Sequence, residues 1–261
     1  MHQCFVAPQA WSDDRLVLSA DEERHLRKVL RARDGDSVMA FDGAGRRCRA
    51  RIATLPVDND QAGTGRMSKG SSGLTVLVPD GPTERLHRPL ELTLLQTIPK
   101  GHRMDWIVEK ATELGVSRIV PIISKRVVVR LDARQVASRV RRWQRIALEA
   151  AKQCQTAWVP EVNGVFPYSE ALAQRDKEGL FLLGSLGEDA RPMHSVLEDV
   201  RHSSRHAALL IGPEGDLTSE EIDEAVRCGA LPVSFGELTL RVETAALFGL
   251  SVLRYALTSQ P

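Results

Sequence analysis

Residues 207–223 (AALLIGPEGDLTSEEID) and 235–250 (FGELTLRVETAALFGL) hold the groups best placed to do chemistry. In the first segment an apolar run reads as a buried strand. It passes straight into Gly212-Pro213-Glu214-Gly215 and then into a helix capped by Thr218 with Glu221. Two glycines around a rigid proline permit a backbone that offers N–H and C=O groups to a ligand without side-chain obstruction. In the second segment a strand ends at Gly236, a short loop follows, and Arg241 and Glu243 stand just ahead of a hydrophobic helix. Loops at the carboxyl ends of strands in an α/β sheet are where ligands usually bind. Spacing alone is also met by two well-made strand–helix turns, so it is the particular residues that favour a binding role. Other nucleotide cradles are missing: there is no GxxxxGK[ST] loop and no GxGxxG after a strand. HExxH, GxSxG and kinase signatures are absent too.

These loops need a sheet to hold them, and the second half of the chain supplies one. Buried-strand runs occur at 90–95, 118–123, 180–184, 207–211 and 231–235, and helical stretches separate most of them. That alternation predicts an α/β domain with a mostly parallel sheet covered on both faces. Apolar stripes predict helices over 104–114, 133–154 and 243–257, and a further helix starts at Thr218 and ends near Gly229. The first half reads as β, with runs at 15–19, 37–41, 47–52 and 74–78 punctuated by Asp34-Gly35 and Asp42-Gly43. One helix is expected over 20–31, capped by Ser19. The Gly/Ser-rich stretch 56–73 reads as a mobile loop, and the proline-rich 79–89 as a linker. Domains are therefore expected over 1–84 and 85–261.

The chain has 261 residues, 43% hydrophobic and 26% charged, which excludes disorder, collagen and a small disulfide scaffold. No run approaches the roughly 18 apolar residues of a spanning helix, and the first fifteen residues lack a secretory leader's pattern. Four separated cysteines without a CxxC pair suggest reduced thiols and a cytoplasmic protein. Seven histidines lie scattered without ligand spacing, so no metal is expected. The net charge of +1 conceals an asymmetry: residues 100–152 carry thirteen Lys/Arg against five Asp/Glu, whereas 205–261 carry four against eight. Clustered cations attract a phosphate backbone, because neutralising phosphates releases condensed counterions. Much of the excess is expected on the exposed side of the 133–154 helix, at Arg134, Arg139, Arg141, Arg142, Arg145 and Lys152.

LLIGPEGDL, GELTLRVETAAL and the upstream KGHRMDWIVEKATELGV (100–116), in that arrangement, resemble bacterial small-subunit ribosomal RNA uridine-N3-methyltransferases of the SPOUT superfamily. HLRKVLRARDGDSVMAFDGAG (25–45), KRVVVRLD (125–132) and RRWQRIALEAAKQC (141–154) extend the resemblance over nearly the whole chain. It implies a PUA-like β-barrel that binds RNA, followed by a SPOUT domain with a deep trefoil knot, an exception to the rule that chains do not thread loops. It also implies a homodimer that uses S-adenosylmethionine to methylate N3 of one uridine in the small ribosomal subunit. The cofactor pocket would comprise Leu183, Gly184, Ile211, Gly212, Pro213, Glu214, Gly215, Gly236, Leu238, Leu240 and Arg241. Arg241 would stabilise negative charge on the base oxygens, and Glu243 would orient Arg241 or serve as base. Glu214 would be a structural or cofactor-side carboxylate. RNA-phosphate contacts would come from Arg27, Lys28, Arg31, Lys100, Arg103, Arg126, Arg130, Arg141 and Arg145. Alternatives are a knotted RNA-binding protein in ribosome assembly with weakened catalysis, or a related methyltransferase acting on another RNA.

The sequence departs from the family pattern at two places. Asp216 stands where the family reads glycine, and it could help cap the following helix. In AKQCQTAWVP (151–160), Lys152 replaces an acid, Gln155 a glycine and Thr156 an arginine.

Overall fold

The computed structural model describes residues 1–56, 73–126, 132–175, 179–200 and 205–258, so most of the expected 56–73 loop, and Arg130, lie outside the described residues. The chain divides into two compact units. Met1–His87 with Gln155–Trp158 form the first, and Arg88–Cys154 with Val159–Pro261 form the second.

The first unit is a six-stranded sheet of β1 (Gln3–Phe5), β2 (Leu16–Val17), β3 (Ser37–Phe41), β4 (Arg46–Leu55), β5 (Leu74–Pro79) and β6 (Glu84–Arg85). Their order is β1-β3-β4-β5-β2, with β6 on β4, and only the β1–β3 pair is parallel. Strand β4 shows why the pattern works. Cys48, Ala50 and Ile52 point into a core with Val38, Ala40 and Leu77, while Arg47, Arg49 and Arg51 alternate onto the other face. Those arginines pair with Glu84 at 2.8 Å and with Asp80 at 3.7 and 2.9 Å.

The helix expected over 20–31 is only partly α-helical. Ser19 Oγ accepts the Glu22 N–H at 3.3 Å as the cap, and α1 runs over Ala20–Arg24. The spiral then widens to a π-helix over His25–Val29, with Leu30 N–H bonded to His25 O at 3.0 Å. It ends where Arg31 turns left-handed, φ 55°, and Ala32 N–H reaches back to Leu26 O.

Residues 155–158 complete this unit. Gly45 donates its N–H to Ala157 O at 3.0 Å, and the Trp158 ring lies so close that a Cβ on Gly45 would meet it at 2.2 Å. With φ 92° as well, position 45 requires glycine.

The second unit is an all-parallel sheet covered on both faces. Its strands are β7 (Glu91–Thr97), β8 (Arg118–Ile123), β9 (Glu161–Val162), β10 (Phe166–Pro167), β11 (Leu180–Gly184), β12 (Arg191–Pro192), β13 (His206–Ile211) and β14 (Leu231–Ser234). They are ordered β10-β8-β7-β13-β11-β14-β12, with β9 also on β8. The helices are α2 (Arg103–Glu113), α3 (Ala133–Cys154), α4 (Tyr168–Leu172), α5 (Met193–Val200), α6 (Ser219–Arg227) and α7 (Val242–Thr258). Alternation sorts side chains between two cores. Leu92, Leu94, Leu182 and Leu209 meet α2, α3, α5 and α7, whereas Leu95, Phe181, Leu183 and Leu210 meet α4 and α6. A Cβ on Gly249 of α7 would lie 2.6 Å from the Leu209 side chain, so glycine lets this helix approach β13 closely.

The five long strands and four helices read from the sequence are present within a residue or two of their expected ends. The short β1, β6, β9, β10 and β12 were not anticipated, because two- or three-residue elements carry no measurable period; α4 and α5, of five and eight residues, were missed as well. The basic helix needs a correction. Arg142 donates from Nε and Nη2 to Asp105 Oδ2 at 3.0 and 2.8 Å, while Trp143 Nε1 donates to Oδ1 at 3.1 Å. One carboxylate thus locks α3 to α2. Lys152 is turned inward, its side chain only 9% exposed, and pairs with Glu149 at 3.0 Å. Arg134, Arg141, Arg142 and Arg145 are exposed as expected and Arg139 is half-buried, so Lys152 is the one that leaves the solvent side.

Both departures from the family's glycines fall on left-handed backbone: Gln155 has φ 60° and Asp216 φ 61°. A Cβ there crowds the following carbonyl, at a cost of about 1–2 kcal/mol, which aspartate relieves better than glutamine by local hydrogen bonding. Gln155→Gly is therefore expected to stabilise the protein by about 1 kcal/mol in denaturant titration. An unchanged or lowered midpoint would mean that the Gln155 side chain compensates the strain.

Candidate active site

Strands β11, β13 and β14 end at the same edge of the parallel sheet, and the loops leaving them surround one cavity of about 380 Å³. The loop after β13 is built from its own sequence. Thr97 Oγ1, on neighbouring β7, donates to the carbonyl of Ile211 at 3.0 Å and fixes the strand's last residue. Pro213 O accepts the Asp216 N–H at 2.9 Å to close a turn, and Asp216 Oδ1 accepts from Leu217 N at 2.8 Å. Asp216 therefore finishes the turn and does not cap α6. That role belongs to Thr218, whose Oγ1 accepts from Glu221 N at 3.3 Å while Glu221 Oε2 accepts from Thr218 N at 2.9 Å.

Glu221 is 2% exposed, and its other oxygen takes the Lys125 N–H at 2.8 Å. Its carbonyl receives the Tyr168 hydroxyl at 2.8 Å; burial pushes that phenol's pKa up, with Glu221 and Glu224 adding to the shift. The neighbouring Glu220 carboxyl is held below its ordinary range, chiefly by the Thr218 hydroxyl, with its own backbone N–H and Lys125 helping.

The cavity's other walls come from β11 and β14. A Cβ on Gly184 would press on the Phe235 ring at 3.0 Å and on Ile211 Cδ1 at 3.1 Å, so glycine keeps the space between them open. Gly236 has open space around it but φ 115°, and Ser234 Oγ braces its amide and carbonyl at 3.2 Å each. The chain then crosses the cavity through Leu238, Thr239, Leu240 and Arg241 before α7 begins.

The lining combines apolar side chains, Leu186, Ile211, Phe235, Leu238, Leu240, Val242 and Ala245, with four charged ones, Arg103, Glu214, Asp216 and Arg241. Glu214 Oε1 receives Arg103 Nη1 at 2.7 Å and the backbone N–H of Lys100 at 3.0 Å. Arg103 Nε lies 3.8 Å from Glu243 Oε1, and Glu243 Oε2 is buried with no hydrogen-bond partner among the described residues. Arg241 is exposed, and its side chain makes no ion pair among the described residues.

Of the residues expected in the pocket, Gly184, Ile211, Gly212, Pro213, Glu214, Gly236, Leu238, Leu240 and Arg241 line it. Leu183 does not: its side chain is fully buried in the core beneath α4 and α6. Gly215 is also outside the lining, and its carbonyl accepts from Arg126 Nη1 at 2.7 Å. Thr239, within the expected 236–241 loop, lines it too, whereas Ser185, Leu186, Asp216, Phe235, Val242, Ala245 and Arg103 were missed as lining residues. All but Arg103 and Ala245 lie within two residues of the expected ones, and Ala245 is one helical turn into α7.

The expected RNA contacts divide by what their side chains touch. Arg27 is engaged within the first unit by Asp34, Thr54 at 2.9 Å, Thr75 at 3.4 Å and Ala32 O at 3.3 Å; that pairing holds the Asp34 carboxyl below its ordinary range. Lys28, Arg31, Lys100, Arg141 and Arg145 are exposed. Arg103 and Arg126 face the loop after β13. Among the described residues, no group of three or more His, Cys, Asp or Glu could hold a metal ion, and no helix is long and apolar enough to cross a membrane.

A family model described as an RNA methyltransferase domain matches residues 86–254, and one described as an RNA methyltransferase PUA domain matches 18–56. Ribosomal RNA small subunit methyltransferase E of Synechocystis sp. is 29% identical over 261 residues, covering 99% of this chain and 78% of that protein. The crystal structure of a ribosomal RNA small subunit methyltransferase E from Neisseria gonorrhoeae, bound to S-adenosyl methionine, is 31% identical. It superposes with a TM-score of 0.81 over 98% of this chain and 97% of that one. A putative methyltransferase from Legionella pneumophila, in complex with the bound cofactor SAM, is 28% identical with a TM-score of 0.80 and 98% coverage of both chains. With more than half its length matched by the catalytic-domain model and its whole length by such relatives, this chain belongs to the RNA methyltransferase family, in its ribosomal RNA small subunit methyltransferase E branch.

Proposed function

We propose that this protein transfers a methyl group from S-adenosylmethionine to N3 of a uridine in small-subunit ribosomal RNA. The observation that carries the proposal is the cavity at the ends of β11, β13 and β14, lined by both apolar and charged side chains. Its volume falls in the range of small-molecule sites. The apolar side chains of Ile211, Phe235, Leu238 and Leu240 suit an adenine ring. The carboxylates of Glu214 and Asp216 suit the ammonium of the amino-acid end. The glycine at 184 leaves room that any side chain would fill. When bound, the cofactor supplies a methyl group on a sulfonium centre.

The chain's own residues then have separable tasks. Arg241, exposed at the rim, stabilises negative charge on the uracil oxygens as the N3 proton is lost. Glu243, whose Oε2 is buried and unpartnered among the described residues, orients Arg241 or accepts that proton. Lys28 and Arg31 of the first unit and Arg141 and Arg145 of the second contact phosphate. The trefoil knot is supported by α7, which leaves β14 near the sheet edge yet packs on β13 and β7. Dimerisation is supported by Phe248 and Tyr255, two turns apart on α7 and 41% and 74% exposed. A cytoplasmic location follows from a ribosomal substrate.

The reaction is tested by transfer of labelled methyl from S-adenosylmethionine to unmethylated small subunits and to free ribosomal RNA, followed by nucleoside mass analysis. N3-methyluridine is expected. A different methylated nucleoside would move the proposal to another base, and no product despite cofactor binding would favour an RNA binder with weakened catalysis. Arg241→Ala is expected to lower kcat by about 10²–10³ with cofactor affinity little changed; equal loss of both would make Arg241 structural. Reversing Arg141 and Arg145 to Glu is expected to weaken RNA binding and to flatten its salt dependence by nearly two units of log–log slope, about 0.7–0.9 per lost phosphate contact. An unchanged slope removes α3 from the interface. Phe248→Glu with Tyr255→Glu is expected to shift the mass measured by light scattering from dimer to monomer, and an unshifted dimer would place the interface elsewhere.

A further inference from the structure

We propose that Arg103 and Arg126 are positioning residues that brace the 212–217 loop from two sides, and that neither serves mainly as a grip on RNA phosphate. The inference rests on that loop being part of the cofactor site. A loop of glycine and proline makes few contacts of its own. Here its internal hydrogen bonds are the Pro213–Asp216 turn and the Asp216–Leu217 contact. Left to these, it would sample many conformations, because glycine restricts the backbone least.

The bracing comes from the segments after β7 and β8. On one side Glu214 is held by Arg103 Nη1 at 2.7 Å and by the Lys100 amide at 3.0 Å. The same guanidinium places Nε 3.8 Å from Glu243 Oε1, so one side chain links the loop to the first turn of α7. On the other side Arg126 Nη1 donates to Gly215 O at 2.7 Å, and its stem runs alongside, with Cδ and Cβ 3.8 and 3.9 Å from where a Gly215 Cβ would be. The root of Arg126 is itself fixed, because the preceding Lys125 amide bonds the buried Glu221 carboxylate at 2.8 Å. Charged donors on a carboxylate and on a loop carbonyl are the stronger class of hydrogen bond. Holding the loop in its binding shape beforehand reduces the ordering cost of the ligand.

Amide hydrogen exchange of the ligand-free full-length protein tests the brace without relying on the ligand. In Arg103→Ala and Arg126→Ala, peptides covering 211–218 are expected to exchange about tenfold faster, the equivalent of one charged hydrogen bond, while the thermal midpoint stays near that of the wild type. Arg126→Lys, which keeps a donor for the Gly215 carbonyl, is expected to restore most of the protection. In parallel, affinity for S-adenosylmethionine should fall about tenfold in both alanine variants, with RNA affinity and its salt slope unchanged. Arg141→Ala should show the reverse pattern. If an alanine variant fails to fold, Arg103→Met and Arg126→Met, which keep the apolar stem and remove the donor, carry the same comparison. Unchanged exchange in both positions, or RNA affinity lost with exchange unaffected, overturns the brace. A wild type that fails to bind S-adenosylmethionine instead overturns the cofactor reading, and the brace is then judged by exchange alone.

Discussion

The parallel, in-register pairing of β13 with β11 on one side and β7 on the other is the constraint on which the site depends. Leu210 sits opposite Leu183 and Leu95, so the three strands end together, and β14 joins through Gly184 opposite Val233. Parallel strands must be buried on both faces, and the two cores meet that requirement with runs of leucine that alternate between them. A register slip of one residue on β13 would exchange Leu209 with Leu210 between cores and move Gly212 away from the cavity. The rigid sheet thus turns a set of flexible, glycine-containing loops into one concave surface.

Charge is used differently in different parts of the chain. The excess of cations over residues 100–152 first suggests a surface for phosphate, and Arg141 and Arg145 are available for that. Others in the same stretch hold the fold: Arg142 joins α3 to α2 through Asp105, Lys152 is nearly buried on Glu149, and Arg103 and Arg126 meet the loop after β13. A count of basic residues therefore overstates the surface offered to RNA. The same holds for Arg47, Arg49 and Arg51, which the two-residue period of β4 puts on one face, where Glu84 and Asp80 pair with them.

How much of this was legible beforehand depends on whether a residue's role is local. The long strands, the helices, and the Ser19 and Thr218 caps could be read because period and capping are properties of neighbouring residues. The pocket was legible at Gly184, 211–214 and 236–241 because the glycines and the family resemblance mark those loops. Roles set by distant partners were not legible. Nothing near Arg27 announces Thr54 and Thr75, and nothing near Arg103 announces Glu214, more than one hundred residues on. The glycine positions filled by Gln155 and Asp216 acquire a reason only from their left-handed backbone.

The central claim is that the loops leaving β11, β13 and β14 form the S-adenosylmethionine site. The most direct measurement is calorimetric titration of S-adenosylmethionine into the full-length protein and into Gly184→Val, with circular dichroism to verify the fold. Valine at the end of β11 would push its side chain between Phe235 and Ile211, where a Cβ already lies about 3 Å from both. The account predicts one cofactor per chain for the wild type and a loss of more than about tenfold in affinity for the variant. Equal affinity in a folded Gly184→Val protein would place the cofactor elsewhere and contradict it.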